Sequence, residues 1–152
     1  MTRLLIVYHS QTGTCARMAE EVIAGANHPD RVTKETVKTA REAGVDDMLA
    51  ADALILGTPE NFGYMSGAMK DFLDRVYYPL EGRVEGMPYA CFISAGNDGS
   101  GALRAIERIA KGFPLKRVHD PVIVVGDPTG EQLSVCHDLG MYVSAGIESN
   151  VF

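Results

Sequence analysis

The sequence predicts an α/β protein with a three-layer, doubly wound fold around a five-stranded parallel sheet in the order 2-1-3-4-5. Nearly continuous apolar runs of strand length alternate with amphipathic stretches along the 152 residues. Strands buried on both faces of a parallel sheet have such composition, and the amphipathic stretches are typical of helices that cover those faces. Right-handed crossovers between these units place helices on both sides of the sheet.

Five strands are predicted. Four of them are apolar runs, namely RLLIVY at 3–8, ADALILG at 51–57, YACFISA at 89–95 and VIVVG at 122–126. The segment RVTKETV at 31–37 alternates between apolar and polar residues instead, which favours a strand at the edge of the sheet.

Helical periodicity occupies the stretches between these strands. A short helix is predicted over VDDMLA at 45–50, directly before the third strand. The residues expected to share a buried helix face are Ala16, Ala19, Ile23 and Ala26, then Met69, Phe72, Leu73 and Val76, then Leu103, Ile106, Ile109 and Phe113, and finally Leu133, Cys136, Leu139, Val143 and Ile147.

Length, charge and cysteine content limit the class of protein. A single domain over 1–152 is predicted, because no linker, repeat or low-complexity segment interrupts the chain. The formal net charge of −6 argues against a nucleic-acid surface, which needs clustered Lys and Arg. No apolar run is long enough to span a membrane. Three widely separated cysteines without a CxxC pair favour reduced thiols and a cytoplasmic location.

The first candidate site is the segment SQTGTC at 10–15, which follows the first strand and opens the first helix. Ligands of doubly wound folds bind beyond the carboxyl ends of the strands where the strand order reverses, so the loops after strands one, three and four are the expected site. Amides in the first turn of a helix lack intrahelical partners and favour an anion. The hydroxyls of Ser10, Thr12 and Thr14 can donate to phosphate oxygens, and Gly13 lets the backbone approach closely.

Two sequence patterns that this loop lacks limit the kinds of anion that it is expected to bind. The triphosphate pattern GxxxxGK[ST] with its lysine is absent, and so is the dinucleotide pattern GxGxxG. The loop therefore favours a terminal monophosphate held mainly by neutral donors. Ordinary helix capping by Ser and Thr is the alternative interpretation.

The loops after the third and fourth strands complete the predicted site. GTPENFGYMSGAMKDFLDR at 57–75 is expected to form a flexible, glycine-rich turn that carries two aromatic rings. Backbone amides beside such rings suit the edge and face of a planar heterocycle, and a surface turn whose aromatics pack on the core is an equal alternative. ISAGNDGSGALRAIERI at 93–109 crowds three glycines into six residues at the carboxyl end of a strand, which favours a functional role.

Taken together, the three loops resemble those of the flavodoxin-like FMN-binding superfamily, over essentially the whole chain. IVYHSQTGTCARMA is similar to the flavodoxin phosphate-loop signature, with Cys15 in place of its final threonine. GTPENFGYMSGAMKDFLDR resembles the second flavin loop of NAD(P)H-dependent FMN reductases and related quinone reductases. The resemblance implies a flavodoxin-like fold and FMN as cofactor.

The resemblance also implies which residues hold the FMN, and it assigns no catalytic residue and no metal ligand. The 5′-phosphate would be bound by Ser10, Thr12 and Thr14 and by the backbone of Gln11, Gly13 and Cys15. The isoalloxazine would be lined by Pro59, Glu60, Asn61, Phe62 and Gly63, with backbone amides near its N5 and O4 edge. The pyrimidine side or the ribityl chain would be covered by Ala95, Gly96, Asn97, Asp98, Gly99 and Gly101.

One departure from the flavodoxin pattern bears on function. Flavodoxins commonly place the ring between a tryptophan and a tyrosine, whereas this chain has no tryptophan and its third loop has no aromatic residue. One flavin face is therefore expected to be open, where a nicotinamide, a quinone or another subunit of a homodimer could stack. This predicts an NAD(P)H-dependent flavin or quinone oxidoreductase that passes a hydride from NADPH or NADH through FMN to a small-molecule electron acceptor.

Two alternatives to the oxidoreductase stay open. One is a flavodoxin-type one-electron carrier without NAD(P)H activity of its own, since an acidic surface suits docking to a basic redox partner protein. The other is a non-catalytic nucleotide-binding module, which no residue pattern in the chain excludes.

Overall fold

A computed structural model describes residues 1–152, which form one sheet with helices on both faces. The strands are β1 (Arg3–Tyr8), β2 (Lys34–Thr39), β3 (Ala53–Asn61), β4 (Tyr64–Met65), β5 (Pro88–Ala95), β6 (Lys116–Arg117) and β7 (Val122–Val125). The helices are α1 (Thr14–Ala26), α2 (Val45–Ala50), α3 (Gly67–Leu80), α4 (Ser100–Gly112) and α5 (Gly130–Glu148).

The strand order confirms the predicted topology and adds two short strands to it. The five principal strands lie in the order β2-β1-β3-β5-β7 and are parallel, which is the predicted order 2-1-3-4-5. The strand β6 pairs with the first residues of β5 and β7 with the last ones, so two segments share the outer edge of the sheet. The strand β4 pairs antiparallel with the end of β3.

Burial on both faces explains why the central strands read as continuous apolar runs. Leu4 and Ile6 in β1 belong to the apolar cluster on one face of the sheet, while Leu5 and Val7 belong to the cluster on the other. All four side chains are at most 1% exposed. Alternation of side chains across a strand therefore places every residue of this stretch in a core.

The edge strand begins three residues later than its sequence pattern predicts. The prediction covered 31–37, whereas β2 runs over Lys34–Thr39. The amides of Val32 and Thr33 donate to Oε1 of Glu148, at 2.7 and 2.8 Å, instead of pairing with a strand. A carboxylate at the end of α5 therefore holds the segment that the alternation assigned to the sheet.

The third strand is longer than expected, and the flexible turn predicted to start at Gly57 is wrong at its beginning. Gly57 is buried inside β3, where an added Cβ would collide with the ring of Phe92. The strand continues to Asn61 and returns as β4 through a hairpin. A glycine that the sequence marks as a turn residue thus serves a close contact in the core.

The predicted helix positions are largely confirmed. The structure has a helix at 45–50, and Met69, Phe72, Leu73 and Val76 of α3 are all buried. In α1 the buried face is displaced by about one residue from the predicted one, because Met18 and Val22 contact the sheet while Ala16 and Ile23 are only half-buried. The difference arises because small alanines carry little information about which helix face is buried.

The closest helix contact lies between α1 and α5 and depends on two glycines. A Cβ at Gly140 would collide with the carbonyl oxygen of Val22, and a Cβ at Gly25 would collide with that of His137. The two backbones therefore approach each other through positions without side chains.

Replacing Gly140 with alanine should destabilise the protein by about 1–3 kcal/mol, since the added methyl group has to push the two helices apart. Urea unfolding followed by circular dichroism measures the loss. Gly130→Ala is the matched control in the same helix, because no atom lies within 4 Å of a Cβ at that position. Equal stability of the two variants would contradict the close helix contact.

Candidate functional site

The first loop is shaped by the hydroxyl group of Ser10. Its Oγ accepts hydrogen bonds from the amides of Gly13 and Ala16, at 3.2 and 3.1 Å. Gly13 precedes α1 with φ of 104°, a left-handed conformation that glycine adopts without strain. The Ser10 oxygen thus organises the loop in which the other donors lie, and the hydrogen bond expected from its hydroxyl to a phosphate stays a prediction.

Five backbone amides of this loop have no acceptor within the protein. They are the N–H groups of Ser10, Gln11, Thr12, Thr14 and Cys15. No acidic residue occurs in the first turn of α1, and Cys15 is only 1% exposed. Unpaired amides at the positive end of a helix dipole favour an anion, and a buried amide without a partner is costly.

Each of the other helices that begin at this edge of the sheet also has a side-chain acceptor for at least one backbone amide at its start. The acceptors are Asp47 for α2, Ser66 for α3, Asp98 and Glu60 for α4, and Thr129 for α5. At α1 that acceptor is Ser10, and the remaining amides of its loop stay free.

A cleft of about 370 Å³ opens beside this loop, across the carboxyl ends of β1, β3, β5 and β7. That volume is within the usual range for a small-molecule site. Its lining residues are Gln11, Thr12, Thr14, Pro59, Glu60, Asn61, Ser94, Ala95, Gly96, Gly126 and Asp127.

The cleft brings together part of the predicted site. Residues of all three predicted loops line it: Gln11, Thr12, Thr14, Pro59, Glu60, Asn61, Ala95 and Gly96. The remaining predicted residues lie outside the lining. They are Ser10, Gly13 and Cys15 in the first loop, Phe62 and Gly63 at the tip of the β3–β4 hairpin, and Asn97, Asp98, Gly99 and Gly101 around the start of α4.

Sequence reasoning missed a fourth loop. Gly126 and Asp127 follow β7 and line the cleft, together with Ser94 at the end of β5. The amide of Gly126 donates to the carbonyl of Ala95 at 2.9 Å, which places this loop beside the third one. A signal was present in the sequence, because the fifth predicted strand ends in Gly126 and Asp127 directly follows it.

Phe62 occupies an unusual conformation at the rim of the cleft. It and Gly63 have φ of 51° and 70°, and they join the paired residues Asn61 and Tyr64. Two left-handed residues in a two-residue hairpin form a type I′ turn, where asparagine is normally preferred to a bulky residue. The Phe62 side chain is also fully exposed. Such strain combined with exposure is often found at functional sites.

Hydrogen bonds tie the first and second loops together. The side-chain amide of Asn61 donates to Oε1 of Gln11 at 3.2 Å. Below it, the backbone amide of His9 donates to the carbonyl of Gly57 at 3.0 Å. These two hydrogen bonds fix the spacing between the first and second loops.

No cationic side chain lines the cleft. Burial, and secondarily the positive charge of Arg41, lowers the pKa of His9, so its ring is neutral at pH 7 next to the first loop. A phosphate group at this site would therefore be bound by amides, hydroxyls and the helix dipole.

Neither a metal centre nor a bilayer-crossing helix is found in the chain. No three His, Cys, Asp or Glu side chains are grouped so that they could hold a metal ion. None of the helices combines the length and apolar character that crossing a bilayer requires.

Residues 14–121 match the family model described as NADPH-dependent FMN reductase. The chain belongs to this family, within the flavodoxin-like FMN-binding superfamily. Among its relatives is a flavodoxin of Aquifex aeolicus, 31% identical over 92% of this chain and 84% of that protein. An NAD(P)H dehydrogenase (quinone) of Acidithiobacillus ferrooxidans is 32% identical over 84% of this chain and 72% of that protein.

The solved structures establish the same fold for this FMN reductase family member. A flavodoxin from the domain Archaea superposes with a TM-score of 0.84 at 23% sequence identity, covering 97% of this chain and 99% of the other. At that level of identity the similarity shows the fold, and the flavodoxin-like fold predicted from the sequence is confirmed.

The thiol of Cys15 should be unreactive despite its place at a helix start. Burial raises its pKa to about 12, and burial likewise raises the pKa of Cys91 to about 12 and that of Cys136 to about 11. At pH 8 only about one Cys15 thiol in ten thousand is then ionised. Ellman's reagent should detect no thiol in the native protein and all three in denaturant. Rapid release of one equivalent from native protein would contradict this assignment.

Proposed function

We propose that the protein binds FMN and works as an NAD(P)H-dependent flavin or quinone oxidoreductase. The observation that carries this proposal is the set of unpaired amides at the start of α1, which opens into a cleft at the reversal point of the strand order. Membership of the FMN reductase family supports the same cofactor.

The first loop fits a terminal phosphate. The amides of Thr12 and Thr14 and their hydroxyls lie at the cleft, where they can donate to phosphate oxygens. The dipole of α1 supplies the compensating positive charge that side chains do not provide. The Ser10 hydrogen bonds keep these donors in place before the ligand arrives, which lowers the entropy cost of binding.

The remaining cleft fits the ring system and its open face. Pro59, Glu60 and Asn61 line it from the second loop, and Ala95 and Gly96 line it from the third. FMN, when bound, takes up electrons from a reduced nicotinamide and releases them to an acceptor. The chain orients the ring and shields one side of it, and no aromatic side chain lines the cleft to cover the other.

That open face supports a reductase over a carrier. A nicotinamide or a quinone can stack on a flavin face that the protein leaves uncovered.

The net charge of −6 favours the carrier alternative instead, since it would help docking to a basic redox protein. A homodimer in which a second subunit covers this face stays a prediction. Three free cysteines fit a protein of the reducing cytoplasm.

Replacing both Thr12 and Thr14 with valine should weaken FMN binding about a hundredfold, because two hydrogen bonds to a charged group are lost. Quenching of flavin fluorescence measures the dissociation constant. Riboflavin, which lacks the phosphate, should bind the variant and the parent equally. Thr36→Val in β2 is the matched control and should leave FMN affinity unchanged. Unchanged FMN affinity in the double variant would move the phosphate away from this loop.

Adding NADPH or NADH to the FMN-loaded protein without oxygen should bleach its visible absorption faster than it bleaches free FMN. A quinone added afterwards should restore the colour. The competing result is bleaching by dithionite alone, which would support the electron carrier. A protein that takes up no FMN at all would exclude both functions.

A further inference from the structure

The hairpin β3–β4 is fastened to the first turn of α4 by a carboxylate. Oε2 of Glu60 accepts a hydrogen bond from the backbone amide of Ala102 at 3.0 Å, across 42 positions in the sequence. Glu60 lines the cleft and is only half-buried, whereas Ala102 is completely buried. Glu60 therefore joins a residue position at the cleft to the first turn of α4.

A second contact holds the same two elements independently. The carbonyl of Gly63, at the tip of the hairpin, lies where a Cβ on Gly101 would be. Only glycine permits this approach, so the tip of the hairpin rests directly on the start of α4. The second and third loops therefore form one unit.

Two carboxylates accept hydrogen bonds from the backbone amides at the start of α4. Asp98 accepts hydrogen bonds from the amide and the hydroxyl of Ser100, which lower the pKa of its carboxyl. Glu60 accepts from the amide of Ala102, and the Gly101 amide between these two has no acceptor within the protein. The positive end of the α4 dipole thus lies beside one carboxylate from the third loop and one from the second.

We propose that Glu60 is a positioning residue for the flavin ring: its carboxylate, by binding the Ala102 amide, holds the backbone of Pro59, Glu60 and Asn61 at the spacing that the ring requires. This inference rests on the proposed FMN site. Without the carboxylate the tip of the hairpin would keep its contact with Gly101, but the backbone of 59–61 would lose its own anchor to α4. The ligand would then have to order that backbone, and binding would be weaker by the cost of that ordering. The loss of affinity should come from weaker contacts to the ring, and the contacts to the phosphate should be unchanged.

The test compares Glu60→Ala, which removes the acceptor, with Glu60→Gln, which keeps an acceptor oxygen and removes the charge. Glu60→Ala should weaken binding of FMN and of riboflavin about equally, by roughly tenfold, and Glu60→Gln should restore most of that loss. Glu107→Ala is the matched control: it removes a carboxylate of α4 that pairs with Arg117 and does not line the cleft, and it should change neither affinity.

Hydrogen exchange on the flavin-free protein gives a readout that does not depend on the cofactor. In Glu60→Ala, the amides of 60–65 and 101–103 should exchange faster, while those of β1 and α5 should keep their protection. The same pattern in the Glu107→Ala control, or no local change in Glu60→Ala, would overturn the inference.

The two proposals fail in different ways. A parent protein that binds neither FMN nor riboflavin would overturn the proposed function and, with it, the role of Glu60 toward the ring. A parent that binds both, beside a Glu60→Ala variant of equal affinity, would overturn the role of Glu60 alone. A loss confined to FMN would also overturn it, because that loss would place Glu60 at the phosphate.

Discussion

The carboxyl edge of the sheet depends on the hydrogen bonds that Ser10 makes to its own loop. By accepting the amide protons of Gly13 and Ala16, the hydroxyl turns the chain into α1 through a left-handed residue. The neighbouring amides keep no acceptor within the protein, and no acidic side chain compensates them. A ligand phosphate would supply the negative charge that no side chain supplies at this helix start.

The acidity of the whole chain does not oppose an anion site of this kind. Charges separated by more than about 8 Å are largely screened at physiological ionic strength. The amides and hydroxyls of the first loop act within hydrogen-bonding distance of the ligand, where screening is weak. Local donors would therefore decide whether an anion binds at this loop, and the net charge of −6 bears on the approach of larger partners.

The rest of the cleft is built by contacts that hold the loops to one another. Asn61 joins the second loop to the first through Gln11, and Glu60 joins it to the third through α4. The bare backbones of Gly63 and Gly101 allow the last of these contacts to be close. A cleft made of several loops thus has one shape, which a planar ligand can meet without reordering the backbone. The strained, exposed Phe62 lies at the rim of that unit.

The sequence by itself determined the sheet order, the central strands and the cluster of hydrogen-bond donors in the first loop, because these depend on local periodicity and on residues adjacent in the chain. The late start of β2 depended on Glu148, and the burial of Gly57 depended on Phe92, both of them distant in sequence. The candidate site likewise combines features set by the local sequence with features set by residues that are distant in sequence. Only the tertiary structure turned the Glu60 carboxylate toward Ala102 and brought Asp127 to the cleft, because partners remote along the chain meet only when the sheet has assembled.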